Sequence, residues 1–330
     1  MDYNFYYPWD QLREACVGQV YHSSFFQDVK NSKIKDMLTQ ILVETAEDLD
    51  NISNVLTQLS VNVHRPNISN NISVMDYVDD NDSITHLVSQ SNTLIPRPPL
   101  QLRDSFFVSD QTLYRTREDG IYVKSMLDAF GGKQKDLIEH NFDAPLVTLI
   151  GDCAYVDTLD NPSLNNIIEN CLPNKTVVGV STGGHNDAVF SVIRPGVLIT
   201  LEDPALYKET FPGYDILSLP NASWRSDLKD FRKLKRQNGG RFWAPRSVDN
   251  FEFINFVDSW LNSWVGYAAE TVFDVNCLVV NDSLVLINNY NKEVDLFFKK
   301  HKIEYIVTPL RHRFFWDGGI HCVTNDLLRS

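Results

Sequence analysis

The sequence lacks the features of several large classes of protein. Its 330 residues hold no run of about eighteen apolar side chains that would span a bilayer, and no basic and apolar leader pattern at the amino terminus. Lysine and arginine number 30 against 43 aspartate and glutamate, which gives a net charge of −13. Such a chain repels phosphate backbones and anionic lipid surfaces. We therefore expect a soluble, cytoplasmic protein with no nucleic-acid or membrane partner.

Cysteine is scarce and poorly spaced for pairing. The five cysteines are far apart in the chain, their number is odd, and none forms a CxxC pair. These features argue against structural disulfides and against a zinc or dithiol motif. The chain also holds no HExxH or EF-hand pattern, no phosphate-binding loop and no Rossmann glycine fingerprint. The sequence thus predicts neither a metal site nor a cofactor.

What the sequence does contain is a recurring pattern of short β segments. Three predicted hairpins, over 106–114, 188–200 and 277–287, each join two apolar runs through a polar turn. Amphipathic helices are predicted over 34–59 and 292–300. Strands that follow helical stretches are predicted over 61–64, 146–150, 177–180, 215–219 and 304–307. Five such units predict a single α/β domain, residues 1–330, built as a cyclic array of five sheets.

Two segments depart from this pattern. Residues 67–99 are rich in Asn, Ser and Asp and end in a proline cluster, which predicts a long exposed loop. Residues 223–250 carry a cluster of Lys and Arg within an acidic protein. This basic segment has two interpretations: a solvated helix and turn, or a site for an anionic substrate group or partner.

Polar clusters follow several of the predicted strands. In a cyclic array the ends of strands converge near the central axis, so side chains that are distant in the chain are expected to meet there. The clusters hold Arg103 and Asp104; Asp152; His185 and Asp187; and His321 and Cys322. The sequence therefore predicts one site that combines a thiol, histidines and carboxylates.

Cys322 is the candidate nucleophile. It follows a Gly-Gly pair and a histidine, whereas Cys277 lies within an apolar strand and Cys171 at the end of a helix. The alternative for a lone cysteine is a buried, small hydrophobic residue. His185, two residues before Asp187, is the candidate general acid and base, with a packing or capping role as the alternative.

Several carboxylates near one thiol favour a cationic substrate, because like charges cannot share a pocket without a counter-charge. A guanidinium suits such a pocket. Its planar set of N–H donors pairs with carboxylates while a thiolate attacks its central carbon. The residues alone thus predict chemistry on a guanidino group.

These motifs resemble those of the amidinotransferases of the guanidino-modifying superfamily, especially the glycine and inosamine-phosphate amidinotransferases. The opening segment 8–18 resembles the first strand of that family, and Arg103-Asp104 resembles its Pro-Arg-Asp strand, with Leu102 in place of proline. His185-Asn186-Asp187 resembles the His-x-Asp hairpin. Residues 318–324, Gly-Gly-Ile-His-Cys-Val-Thr, resemble the nucleophile motif Gly-Gly-x-His-Cys-x-Thr. The likeness runs almost from end to end.

The resemblance implies a fold and a reaction. The family folds as a five-bladed α/β propeller, or pentein, with pseudo-fivefold symmetry, in agreement with the five units in the sequence. Its reaction is ping-pong. A cysteine attacks the guanidino carbon of a donor, usually arginine, ornithine leaves, and an acceptor amine, glycine or another, takes the amidino group from sulfur. The reaction needs no cofactor, and the resemblance also suggests a homodimer.

Carried over residue by residue, the resemblance makes Cys322 the nucleophile and His185 the acid and base. Asp104 and Asp187 are then expected to bind the guanidinium. The same comparison assigns the two neighbouring side chains, Arg103 and His321, to substrate binding.

Two roles have more than one candidate. Asp152 is expected to support the charge on His185, with Asp157 as the alternative, because the family's second aspartate in this segment is missing. The arginine that glycine amidinotransferases carry after the hairpin is also missing. The basic segment 223–250, or Arg311 and Arg313, are the candidates to replace it.

Two other functions fit the same residues. A deiminase or guanidino hydrolase of the superfamily would use the same cysteine, with water in place of the acceptor amine. A catalytically silent protein would use the acidic pocket to bind arginine or another cation. The whole-chain likeness favours transfer, and the intact Cys322 and His185 argue against binding alone.

Overall fold

A computed structural model describes residues 2–77, 95–118, 120–158, 162–219, 250–265 and 272–330. These residues form a mixed α/β fold with five three-stranded sheets. The strands are β1 (Leu12–Val17), β2 (Asn62–His64), β3 (Phe106–Ser109), β4 (Thr112–Arg115), β5 (Lys133–Asp136), β6 (Val147–Ile150), β7 (Cys153–Asp157), β8 (Thr176–Val180), β9 (Phe190–Arg194), β10 (Val197–Thr200), β11 (Asp215–Ser218), β12 (Leu278–Asn281), β13 (Leu284–Ile287), β14 (Glu304–Val307) and β15 (Thr324–Arg329). The predicted α/β class is confirmed, and the described residues form as many sheets as the sequence predicted units.

The helices and 3₁₀ turns lie between these strands. The helices are α1 (Ser32–Gln58), α2 (Ile121–Phe130), α3 (Leu164–Cys171), α4 (Phe251–Trp260), α5 (Val272–Val275), α6 (Lys292–Lys300) and α7 (Arg313–Trp316). Short 3₁₀ turns at Leu102–Asp104, Ala144–Leu146 and Asn186–Ala188 come directly before β3, β6 and β9. Within the described residues, no helix is long and apolar enough to cross a membrane.

All five sheets follow one plan. The first strand pairs antiparallel with the second, and the second pairs parallel with the third. The sheets are β3-β4-β5, β6-β7-β8, β9-β10-β11, β12-β13-β14 and β15-β1-β2. A parallel pair needs a crossover connection. Helices α1, α2, α3 and α6 supply this crossover in four of the sheets. In sheet β9-β10-β11, the connection between β10 and β11 holds a 3₁₀ turn at Pro204–Tyr207.

The fifth sheet joins the two ends of the chain. Strand β15 pairs with β1, and Val17 lies opposite Thr324 in the register. The nucleophile motif is therefore fixed at the start of β15 by contacts with the first strand of the protein.

The first strands of all five sheets lie around a common inner cavity of about 90 Å³. It is lined by one or more side chains from each of these strands, among them Val108, Thr148, Ser191, Val279 and Asn325. Most of the apolar core lies on the outer side of the sheets. Helix α1 contributes to it because its apolar residues recur every three or four positions, and Ile34, Leu38, Ile41, Leu49 and Ile52 are buried.

One strand was assigned to the wrong position in its predicted unit. Residues 146–150 were expected to follow a helix, but β6 is the first strand of a hairpin with β7. The strand that follows a helix in the preceding sheet is β5, whose sequence Lys-Gln-Lys-Asp has no apolar residue. Because β5 is largely exposed, its sequence lacks the apolar pattern that marks the other strands.

Parts of the two irregular segments lie outside the described residues: 78–94 of the predicted loop, and 223–249 of the basic segment. The described ends of the loop are not wholly exposed as expected, since Val74 and Ile95 are buried. The indole N–H of Trp264 donates to the Ile95 carbonyl at 2.9 Å. Asn250, the last residue of the basic segment, caps α4 by accepting from the Phe253 amide.

Candidate active site

The connections that enter the first strand of each sheet bring polar side chains together. Asp104 precedes β3, Asp143 precedes β6, His185 and Asp187 precede β9, Asn276 precedes β12, and Cys322 precedes β15. Four of these residues, Asp104, Asp143, His185 and Cys322, line a cavity of about 540 Å³. Asp187 and Asn276 contact the Cys322 sulfur.

The backbone before Cys322 turns tightly around the Asn276 side chain. The Oδ1 atom of Asn276 accepts from the His321 amide at 3.0 Å and from the Cys322 amide at 3.3 Å. A Cβ atom on Gly319 would lie 2.5 Å from that same Oδ1 atom. The second glycine of the motif is therefore required by close approach to Asn276.

The Cys322 thiol lies among acidic groups. Its Sγ atom is 3.8 Å from Asp187 Oδ2 and 3.2 Å from Asn276 Nδ2, and the residue is 7% exposed. Burial raises the pKa of Cys322 well above its ordinary value, and the charges of Asp187 and Asp104 raise it further. Without a cation in the cavity, the sulfur is therefore a neutral thiol.

Asp187 is held by two donors. Its Oδ2 atom accepts from His321 Nδ1 at 2.6 Å and from Asn276 Nδ2 at 3.1 Å. Burial raises the pKa of Asp187, but the His321 hydrogen bond and the nearby cations outweigh it and hold that pKa below its usual value. Asp187 is thus a fixed anion beside the sulfur.

His185 lies between two carboxylates. Its Nε2 atom is 2.9 Å from Asp143 Oδ2, and its Nδ1 atom is 3.8 Å from Asp104 Oδ1. Burial lowers the pKa of His185, but the hydrogen bond to Asp143 and the charges of Asp104 and Asp187 raise it to about 9. The imidazole is therefore protonated at neutral pH.

The expected partner of His185 was wrong. Asp143 holds the ring, whereas Asp152 is exposed and accepts from the Tyr6 hydroxyl at 2.6 Å. The reason is the direction of β6, because Asp143 lies before this strand and Asp152 in the turn after it, at the opposite end.

The alternative, Asp157, does not reach the His185 ring as a hydrogen-bond partner. It is buried, and its Oδ1 atom accepts from the amides of Thr182 and Gly183 at 2.8 and 3.1 Å. Asp157 therefore supports the turn that leads to His185.

Arg103 and His321 do not line the cavity that holds Cys322; both line the inner cavity. Arg103 Nε donates to the carbonyls of His321 and Thr324 at 2.9 and 3.1 Å, on either side of the nucleophile. Its Nη2 atom donates to Asp326 at 3.0 Å. In the structure Arg103 holds the backbone on either side of Cys322, and His321 holds Asp187, which lines the same inner cavity.

Two carboxylate oxygens of the site have unfilled hydrogen-bonding capacity. Asp104 Oδ1 and Asp187 Oδ1 are buried and have no hydrogen-bond partner among the described residues. Burial raises the pKa of Asp104 to about 6, against the lowering effect of His185 and Arg97. Buried carboxylate oxygens without donors are costly, so their presence points to a donor that the bound ligand supplies.

Two arginines that sequence reasoning missed line the cavity. Arg117 pairs with Asp143 at 2.8 Å, and Arg97 donates to the Trp316 carbonyl. The expected alternatives lie elsewhere: Arg311 pairs with Asp48 on α1, and Arg313 lies over the rings of Phe273 and Phe314. The basic segment lies outside the described residues apart from Asn250.

Helix α1 anchors the segment before the nucleophile motif. His312 Nε2 lies 2.6 Å from Glu44, and the Trp316 indole donates to Thr45 at 2.8 Å. These contacts hold the segment that leads to Gly318 and Gly319 against the long helix α1. As to metal ions, the described ranges contain no group of three or more His, Cys, Asp or Glu side chains that could hold one.

Several solved structures share this fold over nearly the whole chain. The inosamine-phosphate amidinotransferase of Streptomyces griseus is 16% identical with a TM-score of 0.64, over 99% of this chain and 97% of that chain. An amidinotransferase of the saxitoxin pathway from Microseira wollei is 12% identical with a TM-score of 0.66, over 99% and 97%. A dimethylarginine dimethylaminohydrolase is 11% identical with a TM-score of 0.56, over 96% and 100%.

These likenesses define the class of fold. No family model and no curated protein matches the sequence. The resemblance expected from the motifs is confirmed at the level of the fold, because amidinotransferases are among the structures that match nearly the whole chain. Hydrolases match it over a similar length.

Proposed function

We propose that this protein is an amidinotransferase, which moves the amidino group of arginine to an acceptor amine through an amidino-cysteine intermediate and releases ornithine. The observation that carries the proposal is the pair of buried carboxylate oxygens without donors, Asp104 Oδ1 and Asp187 Oδ1, beside the Cys322 thiol. A guanidinium supplies N–H donors for these oxygens and adds a positive charge beside them.

Binding of the guanidinium activates the thiol. Burial holds the pKa of Cys322 high, and the charges of Asp187 and Asp104 raise it further while no substrate is bound. A bound guanidinium neutralises their effect, so the thiolate forms more readily when the substrate is present. The reactive sulfur is thus exposed to attack by other electrophiles only for short periods.

In the first half-reaction, the Cys322 thiolate attacks the guanidino carbon and forms a C–S bond. His185, protonated at neutral pH, gives its proton to the departing nitrogen as the C–N bond breaks, and ornithine leaves. Asp143 holds the imidazole in place for this transfer through its contact with Nε2.

In the second half-reaction, the acceptor amine gives a proton to neutral His185 and attacks the amidino carbon. The C–S bond breaks, and Cys322 departs as the thiolate. His185 is then protonated again. Cys322 loses its thiol proton to solvent when the donor binds and regains a proton from solvent when the product leaves, so the protein returns to its starting state without an oxidant or cofactor.

The donor's carboxylate is proposed to bind near Arg117 and Arg97, the two arginines found in the lining of the cavity. Arg117 is the more suitable, because its side chain is 44% exposed while its Nη1 atom pairs with Asp143. A carboxylate bound to Arg117 would also lie next to Asp143, the partner of His185, which would couple donor recognition to the acid.

We also propose that the five sheets close into a five-bladed propeller of one domain. The support is the inner cavity, which is lined by the first strands of all five sheets, and the pairing of β15 with β1.

Product analysis tests the function. The protein is incubated with arginine alone and with arginine plus single amines, including glycine, and the products are identified by mass spectrometry. Transfer predicts ornithine and an amidinated amine in equal amounts. Citrulline, or ornithine formed at a rate independent of the amine, would instead establish hydrolysis. If arginine stays unchanged with every amine, the protein is not an enzyme for arginine, and the alternative of a catalytically silent binding protein is favoured.

A further inference from the structure

Asn276 contacts the nucleophile, a substrate-binding carboxylate and the backbone between them. Its Nδ2 atom lies 3.2 Å from Cys322 Sγ and 3.1 Å from Asp187 Oδ2. Its Oδ1 atom accepts from the amides of His321 and Cys322. The residue is 1% exposed and lies at the entry to β12. One side chain therefore joins three parts of the site.

We propose that Asn276 is a further catalytic residue, whose amide N–H donor stabilises the Cys322 thiolate while its carbonyl fixes the position of the nucleophile. The proposal rests on the proposed function only in taking Cys322 as the nucleophile. It holds equally for transfer of the amidino group and for hydrolysis, since both begin with the same thiolate.

The hydrogen bonds determine the orientation of the amide. Two backbone N–H groups point at one atom of the Asn276 side chain, so that atom is the carbonyl oxygen. The other atom is therefore the NH₂ group, which faces three buried acceptors: Asp187 Oδ2, the Asp187 backbone carbonyl and Cys322 Sγ. Reversing the amide would place an N–H against two N–H donors and an oxygen against a carboxylate and a thiolate.

The backbone at Asn276 is held before any substrate binds. Asn288 Nδ2 donates to the backbone carbonyl of Asn276 at 2.7 Å, and Asn288 Oδ1 accepts from the Ile320 amide at 2.8 Å. Asn288 thus links the backbone at Asn276 to the segment that precedes Cys322. A donor that is fixed in advance loses little free energy to reorganisation when the charge develops.

The charges that face Cys322 explain why a donor is needed there. Burial disfavours a negative sulfur most, followed by the charges of Asp187 and Asp104, on the turns before β9 and β3. The hydrogen bond from the Gly319 backbone, the Asn276 amide and Arg97, on the segment before β3, favour one. The protonated His185 ring and the His321 ring lie against the same two carboxylates. Asn276 adds a donor without adding charge, so it favours the thiolate and leaves the attraction for a guanidinium intact.

The size of the effect follows from the chemistry of the bond. A hydrogen bond to a charged group changes an equilibrium by roughly 10-fold to 100-fold. Loss of the Asn276 donor is therefore expected to reduce the thiolate fraction of Cys322 at neutral pH by about that factor.

The test is the pH dependence of alkylation of Cys322 by iodoacetamide, without arginine, with the modified peptide identified by mass spectrometry. Asn276→Asp keeps an oxygen for the two backbone amides and replaces the donor by a carboxylate oxygen. Asn276→Ala removes both interactions. The control is Asn325→Ala, a buried asparagine whose amide donates to the Phe106 carbonyl at 2.6 Å.

We expect the apparent pKa of Cys322 to rise by about one unit or more in both Asn276 variants, which slows alkylation at neutral pH by about 10-fold or more. It is expected to stay unchanged in Asn325→Ala. A wild-type profile in either folded Asn276 variant, or an equal rise in the control, would overturn the proposal. If Asn276→Ala does not fold, Asn276→Leu decides, because it removes the donor at a similar volume without adding a charge, whereas the carboxylate of Asn276→Asp raises the pKa of Cys322 by its charge as well.

This experiment separates the two proposals, because iodoacetamide reacts with a thiolate whatever the natural substrate is. A wild-type protein that makes no product from arginine would refute the proposed function and leave the result on Asn276 standing. Conversely, normal transfer of the amidino group together with unchanged alkylation of both variants would refute only the role of Asn276.

Discussion

His185 and Asp143 are joined by a contact of 2.9 Å between Nε2 and Oδ2, across 42 residues of sequence. This contact, with the charges of Asp104 and Asp187, holds the pKa of His185 at about 9, against the effect of burial. It determines in which pH range the site has an acid ready to protonate a leaving amine.

Replacing Asp143 should therefore move the pH range of the first half-reaction. Because the pKa of His185 is raised from 6.5 to about 9, the protonated form persists at neutral pH and is lost as the pH rises through about 9. In Asp143→Asn that alkaline limit should move down towards 6.5. Ornithine release in a single turnover, measured across pH, gives the limit.

The matched control is Asp152→Asn, which removes a carboxylate bonded to the Tyr6 hydroxyl. It should leave the alkaline limit where it is. A shift in Asp152→Asn without one in Asp143→Asn would return the role to the residue that the sequence comparison favoured.

Gly319→Ala should damage the site by a steric route. The added Cβ would lie 2.5 Å from Asn276 Oδ1 and 2.9 Å from Asn288 Nδ2. We expect a loss of about 1–3 kcal/mol in the free energy of unfolding and a larger relative loss of turnover, because the nucleophile turn must shift. Gly120→Ala is the control, since a Cβ there meets no atom within 4 Å. Equal behaviour of the two variants would contradict the account of the turn.

Arg117→Ala tests donor recognition. If Arg117 binds the carboxylate of arginine, its loss should raise KM for arginine by about 10-fold or more, as expected for a hydrogen bond between charged groups. The alkaline limit of the reaction serves as a second readout, because Arg117 also pairs with Asp143. Arg311→Ala, which breaks a pair with Asp48 on α1, should leave KM unchanged. Equal KM values for arginine in wild type and Arg117→Ala would exclude the assignment.

Much of the fold follows from local patterns. Helix 292–300 and the hairpins over 190–200 and 278–287 are visible because their apolar side chains are buried on a regular period. Strand β5 is not visible, because its Lys-Gln-Lys-Asp sequence is mostly exposed and its place is fixed by parallel pairing with β4. The position of β5 is thus determined by its pairing with β4 and not by a local pattern in the sequence.

The candidate site shows the same division. Cys322, His185, Asp104 and Asp187 stand in motifs, and the structure brings them together as expected. Asp143 lies in no motif that the sequence comparison used.

A signal for Asp143 did exist. It stands a few residues before an apolar strand, as Asp104 does before β3. Asn276, before β12, could have been found in the same way. Choosing among such residues needs the contacts between sheets, which one sequence does not display.

The most direct test of the central claim is intact-protein mass spectrometry after incubation with arginine and no acceptor. Cys322→Ala is measured in parallel, with Cys277→Ala as the control for a buried cysteine outside the cavity. The account predicts an amidino adduct on Cys322 with one ornithine released per protein molecule, in wild type and Cys277→Ala alone. Adduct formation that persists in Cys322→Ala, or free turnover of arginine by that variant, would contradict it.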